Sequence, residues 1–491
     1  MRLRGIRETK GFWKVIHQYK NNGYNIVMDV NSGSVHIVDD VVYDVIPLAE
    51  QLVSGGIRDV DTVTAAVEAC QKLTYSHDEV REAVEEILEL AQDNVLFTED
   101  IYEKYIGNFK QRQTVVKALC LHIAHDCNLA CQYCFAEEGE YHGRRALMSF
   151  EVGKKALDFL VANSGSRVNL EVDFFGGEPL MNWHVVKQTV AYCREQEKKH
   201  NKLFKLSLTT NGMLLDKEKV KYLTDNHISL ILSLDGRKEM HDAMRPGVHG
   251  EGTYDQILKN LQYCVAHRNG EEYYVRGTFT RRNMDTFTDD VLDMIDKGFP
   301  AVSMEPVVGN EDEPYAIREE DLPAVKKEYE RLANTFIQRE AEGKPFFFYH
   351  FNMNLWKGPC LPKRLRGCGA GHEYLAVVPN GDIYPCHQFV GRDGYVIGNV
   401  YEGLKNMKMM KEFRDNHVLS KPECVDCWAK FFCSGGCHAN NESYAGDMHK
   451  PYHLTCEIQK KRIECAMMIQ AYNKMNKPKV MKQPGLEKMR Y

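Results

Sequence analysis

Cys127, Cys131 and Cys134 stand in the stretch His125-Asp-Cys-Asn-Leu-Ala-Cys-Gln-Tyr-Cys-Phe135, a C-x3-C-x2-C spacing with an aromatic residue just before the third cysteine. Three thiolates on one short loop can hold three irons of a four-iron cube, for which four cysteines are the usual complement. The fourth iron is then left open, and an open position on a metal centre is where chemistry occurs. The competing chemistry is a zinc knuckle, but zinc sites favour paired C-x2-C spacings and four closed ligands.

An apolar run, Ala118–Ala124, precedes this triad and reads as a buried strand. A second strand-like run leads through Phe174 and Phe175 into Gly176-Gly177-Glu178-Pro179. A glycine pair at a strand end lets a ligand approach the backbone closely, although alone it also reads as an ordinary turn. Together the two motifs closely resemble the radical SAM family. The resemblance implies that the open iron is chelated by the amino and carboxylate groups of S-adenosylmethionine. It further implies that Gly176, Gly177, Glu178 and Pro179 hold the methionine amino group and that Tyr133 lies near the adenine. The activity implied is reductive cleavage to methionine and a 5′-deoxyadenosyl radical, which abstracts hydrogen from an unreactive C–H.

Eight cysteines fall between positions 360 and 456, with Cys424-x2-Cys427-x5-Cys433-x3-Cys437 as their dense core. C-x2-C pairs with distant partners also suit two zinc sites. Behind the motifs above, however, the order Cys368, Gly381, Cys386, then the dense core, then Cys456 resembles the SPASM extension of radical SAM enzymes. That resemblance implies two auxiliary 4Fe–4S clusters, three in all. One takes Cys424, Cys427, Cys433 and Cys456; the other takes Cys368, Cys386 and Cys437. The last position of the second falls either to Cys360 or to a cysteine of the substrate. The remaining cysteines, Cys70, Cys120, Cys193, Cys264 and Cys465, read as small core hydrophobes.

These motifs need a scaffold. Strand-like runs at Ala118–Ala124, Val168–Phe175, Phe204–Thr210, Ile228–Leu234, Tyr273–Thr280 and Ala301–Val308 alternate with amphipathic stretches. Ser149, Asp216 and Thr253 stand at helix N-cap positions. Six strands with intervening helices predict an α/β fold with a parallel sheet, and the family resemblance makes it a partial (β/α)6 barrel. Ligands in such barrels bind at the carboxyl ends of the strands. Thr210, Asn211, Ser233 and Asp235 end two strands there, as cofactor or substrate contacts or as simple turn formers. Arg276, inside a strand, needs a carboxylate partner, which S-adenosylmethionine or the protein itself could supply.

The first hundred residues read as a β-hairpin around Asn31-Ser-Gly33, then three helices near 41–52, 60–73 and 77–93. This pattern fits a winged-helix-like domain. The segment is rich in Asp and Glu, among them Asp29, Asp39, Asp44, Asp59 and Glu79, which argues against nucleic acid. It resembles the peptide-recognition domains of enzymes that modify ribosomally made peptides, which add a leader as an extra strand; a simple cap on the barrel is the plainer alternative. The predicted organisation is 1–105 for leader recognition, 115–308 for the barrel, 309–359 as a bridge, 360–472 for SPASM and 473–491 as a basic tail.

Across nearly its full length, and most strongly over Asn22–Val41, the chain resembles the thioether-forming maturases of short six-cysteine peptides. That likeness implies a cysteine-rich precursor peptide with a leader as substrate and a flavodoxin- or ferredoxin-type electron donor. A related enzyme class, the anaerobic sulfatase maturases, places a base aspartate after the cysteine matching Cys386; here His387 stands there and is the candidate base, with Asp235 a second candidate. A rival of another kind is an iron–sulfur electron carrier or redox regulator, which would not need the Gly176–Pro179 turn. The net charge of −6 gives no hint of nucleic-acid binding, and no apolar run reaches membrane-spanning length. Sixteen cysteines in a chain with no secretory signal point to metal ligation in a reducing, cytoplasmic setting.

Overall fold

The computed structural model describes residues 15–70, 74–102, 114–137, 139–141, 143, 145–353 and 361–476. The candidate ligand Cys360 and residues 477–491 of the expected basic tail lie outside them, while residues 473–476 of that tail end the last helix.

A small sheet opens the chain: β1 (Ile16–Asn21), β2 (Tyr24–Asp29) and β3 (Val35–Val38), antiparallel in the order β1-β2-β3. The expected hairpin is β2–β3; β1 is an additional strand. Helices α1 (Asp40–Ser54), α2 (Val60–Glu68) and α3 (His77–Gln92) follow and pack an aliphatic core of their own. Several of the acidic residues here serve the fold. Asp39 and Asp59 cap α1 and α2. Asp29 is fully buried and accepts from Ser32 and Thr98, which ties the turn after β2 to the end of the domain.

The barrel follows the predicted alternation. Its strands are β4 (Ala118–His125), β5 (Asn169–Gly176), β6 (Leu203–Thr210), β7 (Ser229–Ser233), β8 (Tyr273–Phe279) and β9 (Ala301–Pro306), each parallel to its neighbour. Between them run α4 (Phe150–Asn163), α5 (Trp183–His200), α6 (Lys217–Asp225), α7 (Tyr254–Ala266) and α8 (Phe287–Asp296). Ser149 and Asp216 cap α4 and α6 as expected. Thr253 does not cap α7: its hydroxyl donates to the Arg245 carbonyl, and Asp242 accepts from the Thr253 and Tyr254 amides instead. A carboxylate one loop upstream is a stronger acceptor for exposed helix amides than a threonine hydroxyl.

The sheet does not stop at the predicted barrel boundary. Strand β10 (Tyr374–Val377), from the cysteine-rich region, pairs parallel to β4, with Tyr374 opposite Ala118, and β11 (Asp382–Tyr384) turns back antiparallel to it. After α9 (Leu322–Ala341), the long C-terminal helix α10 (His453–Asn476) packs against α9 and contacts both β1 and β3. Tyr19 and Ile26 of the small sheet join the barrel's core cluster, and Met28 packs with Ala429, Ile463 and Met467. The amino-terminal region is therefore docked on the cysteine-rich region. Among the described residues no helix is long and apolar enough to cross a membrane.

Candidate functional site

The site forms where β4 and β5 end. Gly177 N donates to Ala124 O (2.8 Å) and Glu178 N to Asp126 O (2.9 Å), so the glycine turn is laid along the root of the cysteine loop. Gly176 has φ +129°, and a Cβ there would run into the Ala124 carbonyl; one on Gly177 would run into that of Asp126. Only glycine fits either place. The loop itself is pinned from the far side, with Ala130 N on Pro246 O and Gln132 N on Met244 O, both at 2.9 Å.

Glu178 is fully buried, and its carboxylate is taken up by protein donors. Leu180 N and Thr210 Oγ1 lie 2.9 Å from Oε1, and Asn211 N lies 2.8 Å from Oε2. Burial pushes this carboxyl up to about 7 against the opposing pull of those donors. Asn211 then reaches the cysteine loop, donating to Asn128 Oδ1 (2.8 Å) and approaching Cys127 Sγ at 3.8 Å. Glu178 thus acts by shaping the turn, and Pro179 starts the short 3-10 helix behind it.

Asp235 is likewise engaged. Tyr133 OH donates to it, Arg245 Nε stands 3.0 Å away as an ion pair, and Thr278 N donates at 3.0 Å. Arg245 also lies over the Tyr133 ring. Asp235, a candidate catalytic residue from the sequence, thus has its carboxylate engaged by protein groups and fixes the aromatic of the cysteine loop through a buried charge pair. Sequence reading missed Arg245, because a lone arginine just past the end of the short helix Lys238–Met244 carries no signal that it faces inward.

One cavity of about 800 Å³ opens inside the barrel. It is lined by Cys127, Cys131 and Cys134, by Tyr133, Gly176, Gly177, Thr210, Asn211, Ser233 and Arg276, and also by Cys433, Cys437 and Cys456 from the SPASM-like region. Glu178, Pro179 and Asp235 stand behind its wall. The inward positions of β5 to β9 are largely polar: Asp173, Ser207, Thr209, Ser233, Arg276, Thr278 and Glu305. The Arg276 guanidinium has no hydrogen bond or ion pair among the described residues, so of the two partners the sequence left open, a protein carboxylate is not seen and a ligand's carboxylate stays available. His387 faces the same space, with Nδ1 3.1 Å from Tyr374 OH; burial and then Arg276 hold it down at about 4.

The cysteines assemble in three groups. Burial pushes Cys127 up to about 12, with Glu178 and then Cys131 and Cys134 adding, and Cys131 to about 11, with Cys134 adding and Arg245 opposing. Cys386 is raised by burial and by Cys437 and Cys368 beside it. Cys424 and Cys456 are each raised to about 12 by burial, with Cys433 and Cys427 close by. It is their grouping, thiol beside thiol, that suits them to a shared soft-metal centre, since burial alone raises the core thiols Cys264 and Cys465 as much. Among the described residues no three His, Cys, Asp or Glu side chains close on a single-ion site. A four-iron cube spreads its thiolates over separate corners, so this donor set fits a cluster better than zinc. Of the cysteines read as core, Cys193, Cys264 and Cys465 are buried in it, Cys70 is exposed, and Cys120 is buried but lines the cavity.

Comparison with known proteins agrees with this geometry. A family model described as the radical SAM superfamily matches residues 121–297, and SPASM, an iron–sulfur cluster-binding domain, matches residues 368–428. The cysteine-type anaerobic sulfatase-maturating enzyme of Clostridium novyi is 24% identical over 333 residues, spanning 65% of this chain and 86% of that enzyme. The radical SAM cyclopropyl synthase TigE of Paramaledivibacter caminithermalis is 21% identical, spanning 70% of this chain and 72% of its own. Among solved structures, native anSMEcpe with bound AdoMet and Cp18Cys peptide matches with a TM-score of 0.60 at 21% identity, over 73% of this chain and 99% of that one. Streptococcus suis SuiB bound to S-adenosylmethionine matches with a TM-score of 0.50 at 16% identity, over 90% of this chain and 99% of that one. The two structures establish the fold. The cysteine loop and the glycine turn thus fall within the segment that matches the radical SAM superfamily, and most of the C-terminal cysteines fall within or beside the segment that matches the SPASM iron–sulfur cluster-binding domain, in a chain similar to the anaerobic sulfatase-maturating enzymes and to TigE.

Proposed function

We propose that this chain is a peptide maturase that installs thioether crosslinks, from a cysteine sulfur to a carbon of an acceptor residue, in a short cysteine-rich precursor peptide. The observation that carries the reading is the shared chamber. Cys127, Cys131 and Cys134 line the same cavity as Cys433, Cys437 and Cys456, so a peptide segment inside it lies between the two cysteine fields. We assign three 4Fe–4S clusters to the three cysteine groups, with Cys360 or a substrate cysteine completing the group of Cys368, Cys386 and Cys437. Bound there, S-adenosylmethionine and the clusters supply hydrogen-atom abstraction and electron removal.

The chain's own residues then have defined tasks. Gly176 and Gly177 present backbone to the cofactor, Asn211 orients Cys127, and the Asp235–Arg245 pair holds Tyr133. Among the described residues strand β3 has no strand on its outer side in the small sheet, which suits addition of a leader. A leader held there keeps the core peptide at an effective concentration on the order of millimolar. The electron donor in this reading is of flavodoxin or ferredoxin type.

A second reading, oxidation of a cysteine or serine to formylglycine, is favoured by the likeness to sulfatase-maturating enzymes. The residue after Cys386 is His387 rather than the aspartate that chemistry uses, which ranks it second. Anaerobic incubation of the reconstituted enzyme with leader-bearing cysteine peptides, S-adenosylmethionine and dithionite separates the two. Loss of a hydrogen pair per bridge supports crosslinking, an aldehyde supports formylglycine, and unchanged peptides overturn both.

A further inference from the structure

Two carboxylates line the chamber, and their surroundings differ. Glu305 is bound by His350 (2.9 Å) and faces Arg462 at 3.6 Å. Asp173, on β5, receives only the Ser207 hydroxyl from β6, and among the described residues no cation pairs with it. It sits three residues before Gly176 on its strand, about 10 Å below the glycine turn at the usual rise per residue. The groups around it are Glu171 on its own strand, the Cys120 thiol on β4, Ser207 on β6 and the Tyr374 phenol on β10. Cys120 feels both Asp173 and Cys386, so Asp173 lies toward the group of Cys368, Cys386 and Cys437. His387, the other candidate acceptor, already has its Nδ1 on Tyr374.

We propose that Asp173 is the proton acceptor for the attacking thiol of the peptide substrate. The inference rests on the peptide-maturase reading. In the step, the substrate S–H bond breaks, an O–H bond forms on the Asp173 carboxylate, and the electron pair stays on sulfur; no oxidant or reductant takes part. Two observations suit the residue to this. Its one donor, Ser207, fixes the carboxylate while leaving acceptor capacity toward the cavity. Burial, with Glu171 adding to it, also raises the carboxyl to about 6, so that at neutral pH it is ionised yet basic enough to take a proton. The sequence signal is the alternation: Leu170, Val172 and Phe174 point into the core, which leaves Asp173 on the opposite face with Glu171 and Phe175.

The test uses the cluster-loaded enzyme with a synthetic leader-bearing cysteine peptide. Asp173→Asn should still form 5′-deoxyadenosine within about threefold of the parent, while peptide product falls roughly 100-fold or more, in kcat rather than KM. The parent's rate should decline as pH drops through about 6. Asp173→Glu should restore part of the rate, and Ser207→Ala should move the acidic limb upward, since that hydroxyl favours the ionised carboxylate. Independently of activity, the infrared difference between parent and Asp173→Asn should show a carboxyl band titrating in the same range. Parent-like product formation by Asp173→Asn, or an unchanged acidic limb in Ser207→Ala, overturns the proposal. Should Asp173→Asn not fold, the Glu and Ser207 variants decide. A parent enzyme that modifies no cysteine peptide overturns the maturase reading, and this inference with it.

Discussion

The imidazole of His17 lies flat on the indole of Trp428, with ring centroids 3.7 Å apart and planes 5° apart. His17 belongs to β1 of the small sheet, and Trp428 follows the cluster-type cysteine Cys427 directly. Glu464 on α10 holds the same ring at 3.0 Å through Nε2, and Tyr19 OH donates to the Glu464 carbonyl at 2.8 Å. The amino-terminal sheet is thereby fastened to the loop that carries one cysteine group.

That stack gives the first prediction. An aromatic pair of this kind contributes about 1 kcal/mol beyond buried area. Replacing His17 or Trp428 by alanine should speed amide exchange across Ile16–Asn21 roughly fivefold, and the double substitution should add little to either single one. Exchange that stays at the parent rate in both variants would remove the stack from the account of docking.

Metal removal should act on the same interface. Met28, Ala429, Ile463 and Met467 pack in one cluster with Cys427, Trp428, Phe432 and Cys433 at its edge. Cys424→Ala with Cys433→Ala should lower bound iron by about four per chain, the content of one cube. Cleavage of S-adenosylmethionine should persist, because Cys127, Cys131 and Cys134 are untouched. Exchange in β1 and β2 should rise together with the iron loss; iron analysis and hydrogen exchange on one preparation check both halves.

Glu178 makes a sharper case. Its two oxygens accept from Leu180 N, Thr210 Oγ1 and Asn211 N, and glutamine can supply only one acceptor oxygen for them. Leaving one buried donor unmet costs about 1–3 kcal/mol. Glu178→Gln should weaken S-adenosylmethionine binding by roughly 5- to 100-fold, although Glu178 itself stands outside the cavity wall. Equilibrium binding to the reconstituted enzyme measures this, and an unchanged Kd would show that the turn keeps its shape without the carboxylate.

What the sequence made legible follows from the range of the interactions involved. The six barrel strands show apolar or alternating runs, and their observed bounds lie within two residues of the expected ones. Gly176 and Gly177 were readable because their requirement is local: no side chain fits against Ala124 and Asp126. Strand β1 pairs locally with β2 through the two-residue Asn22-Gly23 turn, a hairpin signal that the mostly polar run Ile16–Asn21 obscured. Strand β10 was out of reach for a different reason: its four residues pair with β4 only because the chain returns to it from some 250 residues away. The Tyr133–Asp235–Arg245 arrangement joins three separate loops, so each residue alone reads as ordinary turn or surface chemistry. The sheet and the glycine turn were therefore local information, and the polar lining of the chamber was tertiary.

Arg276 is where this difference can be measured. A guanidinium on an interior strand of a parallel sheet, without a partner among the described residues, is placed for a ligand and contributes little to the empty fold. Neutralising it should therefore leave apo stability within about 0.5 kcal/mol of the parent. If the carboxylate of S-adenosylmethionine is what it meets, Arg276→Met should raise the Kd for that cofactor by about 10- to 100-fold, the range for a hydrogen bond to a charged group. Arg276→Lys should recover only part of the loss, because an ammonium lacks the planar fork that grips both carboxylate oxygens. Thermal unfolding of the apo protein and cofactor binding to the loaded enzyme are read side by side. A fall in stability with an unchanged Kd would make Arg276 a structural residue and remove it from the cofactor site.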